Sequence, residues 1–161
     1  MKTFVTIFIL AMLAYYGVRL HGWLGKGSGP DMIVDTRLAG IVDEWKKDME
    51  DNDIFYSTKF NMIHEIRIVE DSVVTGGNAA YADLFQHTIY ISESTADKGR
   101  LSTKAAVYHE LGHYVFYFDH VEGDVLMNEY SHDESDLKKN WDTLLKIYLV
   151  RCKKNENYAK L

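Results

Sequence analysis

Ala105-Ala106-Val107-Tyr108-His109-Glu110-Leu111-Gly112-His113-Tyr114-Val115-Phe116 is the stretch around which the rest of the chain is organised. Its apolar residues, Ala105, Ala106, Leu111 and Val115 among them, predict a packed helix from about Leu101 to Phe118. Residues four apart on a helix share a face, so His109 and His113 aim two imidazole nitrogens at one point. A metal ion would sit about 2.0–2.1 Å from each nitrogen. Glu110 follows the first histidine directly, which sets its carboxylate beside that point rather than on it. There it can take a proton from water and later hand it to a leaving amine.

His-Glu-x-x-His on a helix is the pattern of zinc peptidases. Two histidines do not complete such a site, and a third protein ligand is required. Asp119, His120, Glu129, Glu134 and His132 all lie downstream as candidates. Neutral imidazole is the commoner zinc ligand in such sites, which favours His120 over Asp119.

Working outward, Leu38, Ile41, Val42, Trp45 and Met49 recur at three- and four-residue steps and predict an amphipathic helix from about Asp35 to Met49. Asp51-Asn52-Asp53 breaks it. Alternation through 62–69, around Ile66 and Ile68, predicts a half-buried strand, and Thr88-Ile89-Tyr90-Ile91 a second short one. Gly76-Gly77-Asn78 marks a turn between them. Leu137, Trp141, Leu144, Leu145 and Tyr148 stripe a last helix, from about Glu134 to Val150. Helix, strands, helix, turn, helix is the order of a small α+β domain.

The first thirty residues differ in kind. Lys2 precedes an apolar run from Thr3 to Val18, the pattern of a secretory signal peptide. Leu20, Trp23 and Leu24 extend it towards the roughly 20 residues of a membrane span, and Met12 is too large for a good cleavage site. Residues 1–24 are therefore expected to be a signal peptide or, slightly favoured, an uncleaved anchor. The Gly-rich linker 25–32 follows, with Pro30 the only proline, and the domain is expected over 33–161. Either reading places the domain outside the cytoplasm. A net charge of −6 argues against a nucleic-acid partner. Cys152 is the only cysteine, which excludes a disulfide framework and any site of several thiolates.

Beyond the two histidines the chain resembles the metzincins, the superfamily of the matrix metalloproteinases and astacins. That family's motif places a glycine three residues after the second histidine, a third ligand three further on, and a methionine-containing turn below the metal. His109-Glu110-Leu111-Gly112-His113 matches its start, Asp119-His120 the end of the matrixin form, and Val125-Leu126-Met127 looks like the Met-turn. Strict spacing would choose Asp119 and put Phe116 at the glycine position; a one-residue insertion restores register and chooses His120. A left-handed turn at phenylalanine would be costly, so the departure is real.

The resemblance implies a minimal metzincin-like domain, a zinc cofactor on His109, His113 and His120, and Glu110 as general base acting on a peptide or protein substrate. It also implies that the strand at Thr88–Ile91 lies near the edge strand that holds an extended peptide. Tyr130 would be a Met-turn tyrosine stabilising the oxyanion, one residue later than that family has it. Two other readings stand beside this one. A gluzincin arrangement would take Glu129 or Glu134 as third ligand. An inactive, membrane-tethered binding module would use the metal only for stability, with His132 closing the fourth position.

Overall fold

A computed structural model describes residues 32–74, 79–123, 126–128 and 133–161. They form an α+β domain with one four-stranded sheet and five α-helices. In chain order these are β1 (Ile33–Val34), α1 (Thr36–Asp51), α2 (Ser57–Phe60), β2 (Glu65–Val69), β3 (Ala80–Asp83), β4 (Thr88–Ser92), α3 (Glu93–Lys98), α4 (Arg100–Phe116) and α5 (Glu134–Asn155). A 3-10 turn, Tyr158–Lys160, closes the chain.

α1 starts where Asp35 turns its carboxylate onto the Arg37 amide, 2.8 Å away, and it buries the expected stripe of Leu38, Ile41, Val42, Trp45 and Met49. It ends at Asn52, and Asp53 then takes a positive φ of 51°. Short polar side chains tolerate that conformation, which is why this acidic triplet stops the helix.

The sheet runs in the order β1-β2-β4-β3. β1, β2 and β4 are parallel, and β3 pairs antiparallel to β4. Every residue of β4 is buried. A strand covered on both faces reads as a continuous run rather than an alternation. Thr88–Ile91 is thus one strand in from the edge, and the edge itself is β3. The Ser92 amide donates to the Ala79 carbonyl at 3.0 Å. By antiparallel alternation, Ala80 and Ala82 then turn their own backbone groups to the open side.

The side chain of Trp45 is fully buried, and its indole N–H donates to the Tyr148 hydroxyl at 3.1 Å. That hydroxyl donates onward to the Tyr108 carbonyl at 2.7 Å, and the Tyr108 hydroxyl to Asp48 at 2.6 Å. One polar chain thereby ties α1, α4 and α5 together inside an otherwise apolar core. Cys152 is buried and free, and burial pushes its thiol well above the ordinary range, which leaves it unreactive.

Gly99, at φ 137°, separates α3 from α4 and supplies no side-chain cap. Glu134, from the first turn of α5, does so instead. Its carboxylate accepts from the Ser102 amide and hydroxyl, each at 2.7 Å, and from the Leu101 amide at 3.3 Å. A carboxylate over exposed helix N–H groups satisfies donors that have no intrahelical partner.

The expected N-terminal segment 1–24, most of the linker 25–32, and the turn at 76–78 lie outside the described residues. Among the described residues no helix is long and apolar enough to cross a membrane.

Candidate metal centre

α4 ends at Phe116, and the chain reverses at Tyr117, which takes the left-handed conformation at φ 54° and ψ 43°. The Phe118 amide then donates back to the Gly112 carbonyl at 3.2 Å. The left-handed residue therefore stands four places after His113, and His120 three places after that. Phe116 stays helical, and the bulky residue that bears the unfavourable backbone is Tyr117. Its hydroxyl accepts from the Lys59 ammonium at 2.8 Å, which helps hold the turn.

The turn carries His120 back over α4. Its Nε2 lies 3.1 Å from Nε2 of His109 and 3.1 Å from Nε2 of His113, and those two are 2.9 Å apart. Three imidazole nitrogens thus converge closely enough to hold a metal ion. Two metal–nitrogen bonds of about 2.05 Å at a tetrahedral angle would separate their nitrogens by about 3.3 Å, a few tenths of an ångström wider.

The rings' other nitrogens strengthen the fit. Nδ1 of His109 donates to the Leu126 carbonyl at 2.7 Å, and Nδ1 of His113 to the Phe118 carbonyl. A carbonyl only accepts, so in the neutral rings the proton is on Nδ1 and the inward Nε2 carries a lone pair. Two lone pairs 2.9 Å apart repel unless a cation sits between them. Burial also holds the His113 pKa below its ordinary value, against the Phe118 carbonyl, and so disfavours a proton as that cation. The donor set fits a metal that takes neutral imidazole, with the outer carbonyls fixing ring orientation.

Glu110 is 6% exposed. Burial pushes its carboxyl up to about 8, opposed by a hydrogen bond from the Ala82 amide. That amide is one of those β3 directs to its open side, so the carboxylate stands between α4 and the sheet edge.

Met127 is 2% exposed and packs its side chain against Gly112 of α4, and its carbonyl accepts from the Val121 amide at 3.0 Å. Gly112 makes room for it. The structure brings together His109, His113 and His120 and leaves Asp119 out: Asp119 is exposed, and its backbone carbonyl accepts from Arg151 at 3.0 Å. Glu134 is committed to the start of α4, about 10 Å along the helix from His109, and is not a ligand. Glu129, Tyr130 and His132 lie outside the described residues.

Sequence reasoning missed the Ala82 amide and the Leu126 and Phe118 carbonyls, because backbone partners have no residue signature. A glycine inside the motif was the available sign of a close approach at Gly112.

No protein-family model, no curated protein and no solved structure matches this chain.

Proposed function

We propose that this chain is a zinc-dependent endopeptidase of metzincin type, acting outside the cytoplasm. The observation that carries the reading is the convergence of three Nε2 atoms within 2.9–3.1 Å, with a buried carboxylate on the residue after the first of them. Among the described residues the cluster has no fourth acidic, thiol or imidazole member. Three protein ligands with the fourth position left to water is the arrangement of catalytic zinc, and His132, the candidate for closing that position, lies outside the described residues. Parallel strands with one antiparallel edge strand beside the active-site helix support the metzincin reading, as do the buried methionine turn and the left-handed reversal before His120.

When bound, zinc supplies a Lewis acid and lowers the pKa of water towards about 7. His109, His113 and His120 hold the ion, and the carbonyls of Leu126 and Phe118 keep two of the rings aimed at it. Glu110 accepts a proton from the attacking water and returns it to the amine that leaves. The outward backbone groups of Ala80 and the carbonyl of Ala82 offer an extended peptide main-chain pairing along β3. Tyr130, the expected oxyanion-stabilising tyrosine, lies outside the described residues.

The test is metal content and peptide hydrolysis on purified protein. Glu110→Gln is expected to keep zinc at wild-type stoichiometry and to lose hydrolysis by about 10²-fold or more, the scale of general-base catalysis. His120→Ala should lose zinc on dialysis, while Asp119→Ala, which keeps the carbonyl that Arg151 binds, should retain it. Wild-type protein that binds no transition metal would overturn the reading, as would Glu110→Gln with undiminished turnover.

A further inference from the structure

One end of the sheet gathers the starts of β1, β2 and β4 and the end of β3, as the pairs Ile33↔Glu65, Glu65↔Thr88 and Asp83↔Thr88 require. That end exposes Ile33 at 65%, Met62 at 39%, Leu84 at 47% and Phe85 at 97%. Phe85 is presented rather than merely loose. Asp83 accepts from the amides of Phe85 and Gln86, both at 2.9 Å, and this side-chain-closed turn fixes the tip outward.

Covering a phenylalanine side chain is worth about 1.5–3 kcal/mol, so a turn built to hold one wholly in water is costly unless something covers it. The charges at this end are largely occupied. Glu65 faces Arg67 at 3.6 Å, and Asp83 is engaged by its two amides.

The same end is where the chain arrives from its N-terminal segment, since Met32 leads directly into β1. That segment carries the apolar run Thr3–Val18 and ends in the linker before β1. Eight residues from Leu24 to Met32 reach at most about 28 Å. The sheet is about 14 Å from β1 across to β3. A linker of that length is long enough to reach across the width of the sheet.

We propose that this end of the sheet rests on a lipid bilayer, with Leu84 and Phe85 entering the boundary between headgroups and acyl chains. The N-terminal apolar run is the tether, and the tip is a second, weaker contact that sets the domain's orientation. Ala82, whose amide holds Glu110, is three residues from Phe85, about 10 Å of strand. The metal centre would then work close to the lipid surface, on chain segments emerging from it. The contact itself depends neither on the identity of the metal nor on hydrolysis.

The full chain is reconstituted with vesicles of phosphatidylcholine containing a minority of phosphatidylglycerol. An environment-sensitive fluorophore is attached at Phe85→Cys or, at the opposite end of the sheet, at Glu93→Cys; Cys152 is buried and is not expected to react. A lipid-borne quencher is expected to quench the label at 85 at least about twofold more than the label at 93, and aqueous iodide to do the reverse. Equal lipid quenching at both positions overturns the proposal. So does a label at 85 shielded from both quenchers, which would mean that protein covers the tip, whether the N-terminal segment or a second copy. A chain that stays off the vesicles altogether overturns it as well.

Discussion

A methyl group on Gly112 would stand 2.8 Å from the sulfur of Met127 and 2.9 Å from the ring of Phe118. Both contacts are with side-chain atoms, which must shift to admit the methyl. Phe118 supplies the carbonyl that orients His113, and Leu126, next to Met127, the one that orients His109. Gly112→Ala should therefore cost about 1–3 kcal/mol, as overpacking of a tight core does. It should also weaken metal retention where the shift reaches the carbonyls of Phe118 and Leu126, which orient His113 and His109. Thermal melts with and without chelator, beside metal stoichiometry, check both effects. An unchanged melt with full metal would show that the methionine turn has more slack than its contacts allow. A single hydrogen-to-methyl change thus reads out the support of the site without touching a ligand.

At the scale of elements, α4 depends on a neighbour for its N-terminus. Partial burial alone would raise the Glu134 pKa, but the bonds from Ser102 and the Leu101 amide outweigh it and hold the carboxyl below its ordinary value. A folded-state pKa below the unfolded one contributes stability that is present above about pH 4.5 and is lost as the pH falls through the folded value. Glu134→Ala is expected to cost about 1 kcal/mol at neutral pH, the worth of a helix cap, and progressively less below pH 4.5. Denaturant melts of both proteins across that range measure the difference, and a cost independent of pH would rule out the charged cap.

The elements that were legible are those with a long period. α1, α4 and α5 show their stripes, and β2 and β4 their β-branched runs, so the helical frame and the two turns of α4 that carry His109 and His113 could be read directly. β1 is too short to carry a pattern. β3, Ala80-Tyr81-Ala82-Asp83, has poor intrinsic strand preference and exists because β4 pairs with it. α3 is a six-residue helix whose sign was Ser92, accepting from the Thr95 amide at 3.2 Å. His120 was legible as a residue type, whereas the left-handed Tyr117 that delivers it was not, since nothing local favours that conformation in tyrosine.

Over the whole molecule, the chain from Trp45 through Tyr148 and Tyr108 to Asp48 joins three helices at the centre. Tyr148→Phe would keep the ring packing and leave the Trp45 N–H and the Tyr108 carbonyl without that hydroxyl. A loss of about 1–3 kcal/mol is expected, because the cost is that of buried polar groups left unsatisfied. Urea unfolding with an unchanged m-value is the check, and a neutral substitution would mean that water takes over the hydroxyl's place.

The two borders of the sheet are guarded in different ways. β1 offers only two residues for a stranger to zip onto, and on the far side the carboxylate of Glu110 already occupies an amide that β3 points outward. Stripping that carboxylate away, as Glu110→Ala would, uncovers a raw seam as well as removing the proposed base. Such a protein would be prone to stick to its own copies, and lost turnover in it could be mistaken for lost chemistry. Glutamine keeps an oxygen over the seam.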